Sequence, residues 1–120
     1  MSGLLYTPWH EWVRLEGSSA AVGLTGVGMK GDVVYIELPE LGRSVEQGEP
    51  CALVETVKTV CEVHAPLAGK ITAVNDTVFD DPDMIGQKPL DTWLFRLDTS
   101  DTDTQGLLTE QEYAELKQAK

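Results

Sequence analysis

Basic residues are scarce in this chain. Its 120 residues include 9 lysines and arginines against 20 aspartates and glutamates, which gives a net charge of −11. Nucleic-acid phosphates and anionic membranes attract positive charge, so this composition argues against both as partners. The excess of acid either keeps the surface solvated or steers the chain toward basic faces of partner proteins.

Cysteine and histidine are rarer still. Cys51 and Cys61 are too few for a disulfide framework or a four-cysteine zinc site, and His10 and His64 are too widely spaced to complete a metal motif with them. The sequence also has no nucleophile–histidine signature and no phosphate-binding loop. We therefore expect no metal site and no independent enzymatic activity.

Long apolar runs are missing as well. No segment approaches the roughly 20 apolar residues that a membrane-spanning helix requires. The N-terminus lacks the basic and apolar regions of a signal peptide. These absences favour the cytoplasm as the compartment. The length is that of a single domain, which we expect to cover residues 1–120.

Short strand-like segments, separated by glycine and proline, make up most of the chain. The predicted strands are residues 12–15, 20–24, 32–38, 51–55, 60–64, 70–74 and 92–97. This pattern predicts a mostly β protein, either a flattened barrel or a β-sandwich.

Helical signals are confined to two places. Residues 80–83 (DDPD) suit the opening of a short helical turn, because carboxylates and proline favour a helix N-terminus. Residues 98–105 are polar and predict a linker, and residues 107–117 predict a C-terminal helix. Thr109 and Glu112 in that helix have the spacing of a capping box.

One lysine stands at the centre of an approximate symmetry. Gly48 lies ten residues before Lys58, and Gly69 lies eleven residues after it. Similar turn-and-strand units flank the lysine on both sides. Two half-sheets related by approximate two-fold symmetry and joined by a hairpin would give this pattern.

In this predicted hairpin, Val57 and Lys58 occupy the two positions of the turn. The expected facing pairs are then Thr56 with Thr59, Glu55 with Val60, Val54 with Cys61 and Cys51 with His64. Such a hairpin holds Lys58 at an exposed tip, as a covalently attached long arm requires, and tethering raises the effective concentration of its cargo toward millimolar values. The plain alternative is an ordinary surface lysine in an acidic hairpin.

The sequence around this lysine resembles the glycine cleavage system H-protein family, a family of lipoyl carriers. The family motif is approximately E-S-V-K-A-x-S-D followed by A-P-x-S-G, and this chain has ETVKTVCE at 55–62 and APLAG at 65–69. Further matches are YTPWHEWVRLEG at 6–17, GDVVYIELPELG at 31–42, AVND at 73–76 and EQEYAELK at 110–117. Biotin carriers have a similar architecture, but their lysine normally lies between methionines rather than between Val57 and Thr59.

The resemblance implies a biotinyl/lipoyl-carrier fold with lipoate on Lys58. The arm would receive an aminomethyl group from a glycine decarboxylase, present it to an aminomethyltransferase and be reoxidised by a dihydrolipoyl dehydrogenase. A lipoate ligase or transferase would attach the arm. In the family, acidic groups in a cleft near the arm can pair with the amine, and Glu11 and Glu62 occupy the matching positions. Ordinary surface carboxylates are the alternative for both.

Several departures from the family pattern leave the cargo open. Trp9 stands where the family usually has serine, and a ring there could fill the arm cleft or cover the barrel end. The segment up to Gly31 is about two residues short, and Gly26 and Gly28 are expected to remove a turn of helix. The loop at 89–93 loses a tyrosine and a glycine.

Two other functions therefore stay open. One is an H-like lipoate-binding protein of bacterial sulfur oxidation, which would carry sulfur intermediates and work with a heterodisulfide-reductase-like complex. The other is a non-lipoylated binding or scaffold domain.

Cys61 replaces a serine of the family motif. A free cysteine is usually a small buried hydrophobe, but a thiol beside a lipoyl dithiol could exchange with it. With Cys51 opposite His64, the two cysteines lie on alternate faces, so a disulfide between them is not expected.

Overall fold

The computed structural model describes residues 4–25, 32–99 and 107–118, and within these ranges nine strands form two antiparallel sheets. The strands are β1 (Leu4–Tyr6), β2 (Glu11–Glu16), β3 (Ser19–Leu24), β4 (Val33–Glu37), β5 (Ser44–Val45), β6 (Pro50–Thr56), β7 (Val60–His64), β8 (Gly69–Val74) and β9 (Trp93–Asp98). The helices are α1 (Thr77–Asp80), α2 (Met84–Gln87) and α3 (Glu110–Gln118), with a 3-10 turn at Pro89–Asp91. The predicted mostly β, barrel-like fold with a C-terminal helix is confirmed.

The larger sheet has the order β1-β2-β3-β9-β8-β5, and the smaller sheet has the order β4-β6-β7. Their inner faces enclose the main hydrophobic core, in which Val22, Val54, Val63, Phe95 and Leu97 are fully buried. From Ala52 to Thr56, β6 alternates between buried and half-buried positions, because successive side chains of a strand point to opposite faces.

The segments on either side of Lys58 follow matching paths. β5 and β8 pair in the larger sheet, while β6 and β7 pair in the smaller one. The turn between β5 and β6 is hydrogen-bonded to the turn between β7 and β8. The Gly48 amide donates to the Ala65 carbonyl at 2.8 Å, and the Ala65 amide donates to the Glu49 carbonyl at 2.9 Å. The chain thus forms the two half-sheets joined by a hairpin that the sequence predicted.

The C-terminal helix begins later than predicted. α3 starts at Glu110, because Leu108 exchanges backbone hydrogen bonds with Tyr6 and so pairs with the end of β1 instead. The predicted capping box is confirmed: the Thr109 amide donates to the Glu112 carboxylate at 2.9 Å, and the Glu112 amide donates to the Thr109 hydroxyl at 3.2 Å. The helix packs through Tyr113, whose ring stacks on Tyr6 with centroids 4.7 Å apart.

Two boundaries were predicted wrongly. Asp98 belongs to β9, where it pairs with Ser19 and Lys70, so the predicted linker does not begin at that residue. Residues 100–105 lie outside the described residues. The helical turn predicted from Asp80 is split instead into α1, which ends at Asp80, and α2, which begins after Asp83. Both short helices bury one aliphatic side chain each, and this tertiary contact decides where they lie.

A tight contact in the larger sheet gives a stability test. A Cβ added to Gly23 on β3 would lie 2.5 Å from the buried Trp12 ring. We expect Gly23→Ala to lower the free energy of unfolding by about 1–3 kcal/mol, since the ring must shift. The control is Gly86→Ala on α2, where an added Cβ meets nothing within 4 Å and the variant should be neutral or more stable by up to about 1 kcal/mol. Equal urea midpoints for the two variants would contradict this reading of the Trp12 contact.

Candidate functional site

Lys58 lies exposed at the tip of the β6–β7 hairpin. The register predicted next to the tip is confirmed: Glu55 faces Val60, Val54 faces Cys61, and the Thr56 amide donates to the Thr59 carbonyl at 2.8 Å. Within the described ranges, no hydrogen bond or ion pair holds the Lys58 side chain.

The hydroxyl of Thr56 organises the backbone of this tip. Thr56 is buried, and its Oγ1 accepts hydrogen bonds from the amides of Lys58 at 3.2 Å and Thr59 at 3.0 Å. On the other side, the Val57 amide donates to the Asp32 carbonyl at 3.0 Å. The backbone of the lysine is therefore fixed on both sides while its side chain is left in solvent.

The predicted register fails at the far end of the hairpin. A β-bulge shifts the pairing so that Pro50, not Cys51, faces His64, while Ala52 faces Val63. Cys51 becomes the extra residue of the bulge and is buried. Burial raises the pKa of the Cys51 thiol to about 12 and also raises that of the half-buried Cys61. Both cysteines are free, and both pKa shifts favour the unreactive thiol over the thiolate.

Glu11, predicted as a candidate for the arm cleft, has a fully buried side chain, so the alternative of an ordinary surface carboxylate is wrong. Its Oε2 accepts hydrogen bonds from the amide and the Nδ1 of His64, at 2.6 Å and 2.8 Å, and its Oε1 accepts one from the Thr7 hydroxyl at 3.1 Å. Burial raises the pKa of Glu11, and the hydrogen bonds from His64 and Thr7 reduce that increase. The carboxylate is thus hydrogen-bonded to His64 and is not exposed to solvent.

Trp9 covers this pair from the outside. Its ring is 47% exposed and lies 4.9 Å from the His64 ring, measured between centroids. The Thr7 hydroxyl accepts the Trp9 amide, and His10 has a left-handed φ of 70°, so the chain turns sharply between Thr7 and Glu11. This turn places Trp9 outside and Glu11 inside.

The structure therefore brings together two of the three predicted cleft residues, Trp9 and Glu11, and adds His64, which the sequence reasoning did not assign to the site. Glu62 makes no contact with them that the described residues show, but it lies on the same face of β7 as His64, since residues two apart in a strand share a face. That two-residue alternation could have placed His64 on the face of Glu62, but it does not predict the hydrogen bonds between His64 and Glu11.

The shortened loop at 89–93 is hydrogen-bonded to the side chain of Trp12. The Pro89 carbonyl accepts the Trp12 indole N–H at 2.8 Å. Thr92 is buried and donates its hydroxyl to the carbonyls of Lys88 at 2.7 Å and Met84 at 3.1 Å. The other altered segment, residues 26–31, lies outside the described residues, so its predicted loss of a helical turn remains a prediction.

Comparison with known proteins decides the family. The family model described as "Glycine cleavage H-protein" matches residues 4–120. The chain belongs to the glycine cleavage H-protein family. It is 47% identical to a glycine cleavage system H protein of Herpetosiphon aurantiacus, over 92% of this chain and 87% of the relative. It is 40% identical to one of Bacillus cereus (strain B4264), over 96% of this chain and 94% of the relative.

A solved structure agrees with this assignment. The crystal structure of a glycine cleavage system H protein from Mycobacterium marinum matches with a TM-score of 0.87 and 35% sequence identity, covering 98% of both chains. Membership of the H-protein family supports a lipoyl carrier of glycine decarboxylation over the sulfur-oxidation and scaffold alternatives. Among the described residues, no cluster of metal-ligating side chains is found, and no helix is long and apolar enough to span a membrane.

The Thr56 hydroxyl gives the first test of the tip. We expect Thr56→Ala to leave the amides of Lys58 and Thr59 without their acceptor. The loss of each hydrogen bond should destabilise the folded tip by about 1 kcal/mol. Amide hydrogen exchange at both residues, followed by NMR, should then accelerate by roughly fivefold. The control Thr56→Ser keeps the hydroxyl and should retain slow exchange. Equal exchange rates in the alanine and serine variants would contradict this role of the hydroxyl.

Glu11 gives a test based on pH. Because its pKa is raised above the ordinary value of 4.5, the native fold binds this proton more tightly than the unfolded chain. The stability that Glu11 contributes is therefore complete below the ordinary pKa and is lost as pH rises through the raised pKa. In Glu11→Gln this loss should be absent.

We therefore expect wild type to lose stability relative to Glu11→Gln as pH rises above the ordinary pKa of 4.5, measured by urea denaturation. The readout is how the difference in the free energy of unfolding between the two proteins changes with pH. Its absolute size is not used, because the substitution also changes the hydrogen bonds to His64. The exposed Glu40→Gln is the control and should run parallel to wild type. A Glu11→Gln profile parallel to wild type would show that Glu11 titrates at its ordinary pKa.

Proposed function

We propose that this chain carries lipoate in amide linkage on the Nζ of Lys58 and transfers an aminomethyl group among the enzymes that cleave glycine. The observation that carries the proposal is the geometry of the tip. The lysine backbone is fixed by Thr56 and Asp32, while the lysine side chain is exposed and unengaged among the described residues. When bound, lipoate supplies a disulfide that takes up the aminomethyl group together with electrons.

The residues of the hairpin fit this attachment. A modifying enzyme must reach the lysine amine, and an exposed tip without ion pairs leaves it accessible. The tip is also rigid, because its backbone hydrogen bonds run to both neighbouring strands of the smaller sheet. A rigid support with a mobile side chain keeps the cargo at high local concentration near each docked enzyme.

The surroundings of Lys58 divide the predicted cleft residues into different roles. Glu11 is fully buried and hydrogen-bonded to His64, so we propose that it positions His64 and does not bind the amine itself. Glu62 is exposed on the face of β7 that begins next to the tip, and it is the carboxylate we propose to face a positively charged cargo. Cys61 has a raised pKa, which argues against a thiol exchange with the arm.

The partners that this function requires are a glycine decarboxylase, an aminomethyltransferase, a dihydrolipoyl dehydrogenase and a lipoate ligase or transferase. The net charge of −11 suits association with basic faces on such enzymes. We place this exchange in the cytoplasm, within one domain that spans residues 1–120.

Lys58→Arg is the decisive variant, because it keeps the charge but cannot form the lipoyl amide. After expression with lipoate, we expect mass spectrometry to find one lipoyl group on wild type and on the exposed control Lys70→Arg, and none on Lys58→Arg. Wild type mixed with purified glycine decarboxylase should support exchange of labelled carbon dioxide into glycine, and Lys58→Arg should not. A lipoylated wild type that fails to support exchange would leave the carrier intact but refute the aminomethyl cargo.

A further inference from the structure

An apolar groove lies between β4 and the α1 region, beside the hairpin that carries Lys58. It has a volume of about 370 Å³ and is lined by Val34, Tyr35, Ile36, Val78, Phe79 and Pro82. Three of these residues expose large apolar surface: Val34 is 57% exposed, Phe79 52% and Tyr35 49%. A cluster of exposed apolar side chains around a concave surface indicates a binding site.

The groove is connected to the lysine tip through the backbone. Val33 at the start of β4 faces Thr56, and the Asp32 carbonyl accepts the Val57 amide. A second depression of about 220 Å³, lined by Asp32, Val33, Asp83, Gly86 and Gln87, continues the groove toward the tip. A protein that docks in the groove would therefore lie close to the turn that carries Lys58, and Lys58 lines neither depression.

The rim of the groove is acidic. Asp32 and Asp83 line the second depression, and the exposed residues Glu37, Asp80 and Asp81 are next to lining residues of the groove in the chain. Neither depression is lined by a lysine or an arginine. A second copy of this chain would bring the same acidic rim against the first, and like charges facing each other oppose such a contact. The complementary surface is an apolar side chain flanked by basic residues.

We propose that this groove is the docking site for an enzyme that acts on the Lys58 arm, through a segment of that enzyme with apolar residues flanked by lysine or arginine. The inference rests on the proposed function, because it takes the partner to be an enzyme of glycine cleavage. The apolar floor supplies the contact area, and the acidic rim selects a basic segment. Lys58 stays exposed beside the bound segment.

Substitutions of matched chemistry test the floor of the groove. Val34→Ser and Phe79→Ala should each raise the Kd by roughly tenfold for at least one of three enzymes, namely the cognate glycine decarboxylase, aminomethyltransferase and dihydrolipoyl dehydrogenase. The control Leu41→Ser removes a side chain that is equally exposed but lies outside the groove, and it should change the Kd by less than about twofold. Isothermal titration calorimetry on protein without lipoate keeps the arm out of the measurement.

A second pair of variants tests the rim. Asp80→Asn should weaken binding and reduce the dependence of the Kd on salt, whereas Asp91→Asn, on the Pro89–Asp91 turn, should leave both at the wild-type values. Circular dichroism and lipoylation at Lys58 verify that every variant is folded.

Three results would overturn the proposal. One is an unchanged Kd in both floor variants for every enzyme, and another is the absence of binding by wild type without lipoate. The third is a dimer of wild type in sedimentation that is lost in Val34→Ser. That result would mean that a second copy of the chain occupies the groove. Unchanged Kd values in variants that still support carbon dioxide exchange would refute the docking site alone. The proposed function fails instead when wild type, correctly lipoylated, supports no exchange.

Discussion

The amide of Val57 donates to the Asp32 carbonyl, and this bond ties the tip of the hairpin to β4 as well as to its own partner strand. A two-stranded hairpin is marginally stable by itself, so its tip would fray without a third strand. Because β4 pairs along β6 and also holds the turn, the backbone at Lys58 belongs to the sheet. The flexibility that a carrier needs is thus confined to the lysine side chain.

A second constraint joins the two sheets near the base of the same hairpin. Glu11 lies on β2 of the larger sheet, and its carboxylate accepts two hydrogen bonds from His64 on β7 of the smaller sheet. Burying a carboxylate is costly, and such a pair adds little net stability over apolar residues of the same size. Removing one partner is strongly destabilising, however, because it leaves a buried polar group unpaired. The pair therefore fixes how β7 meets β2, and through β7 it helps to fix the hairpin that carries Lys58.

The local pattern of the sequence was enough to predict the hairpin register near Lys58. Alternation with a period of two, together with a short turn, determines the pairs Glu55 with Val60 and Val54 with Cys61. The bulge at the base of the hairpin could not be predicted in this way, because one unpaired residue leaves the polar and apolar pattern almost unchanged. The capping box of α3 was also local, and it was predicted correctly.

Contacts between distant segments escaped the sequence reasoning. Glu11 and His64 are 53 residues apart, and neither residue type nor spacing predicts their hydrogen bonds. The start of α3 was misplaced for the same reason, since Leu108 pairs with Tyr6 at the other end of the chain. Trp9 was recognised as a departure from the family, but only the structure shows that its ring lies against that of His64, tilted by 36°.

The proposed docking groove beside Lys58 has a consequence for how a carrier serves several enzymes. Docking partners that shared this groove would exclude each other, so a group carried on Lys58 would meet them one at a time. An acidic rim increases the rate of association with basic partners, while a small apolar floor gives a small contact area and rapid dissociation. Rapid dissociation is a requirement here, because a carrier that stayed bound to one enzyme would limit the turnover of the next. The arrangement of apolar and acidic residues next to Lys58 is therefore suited to transient contacts.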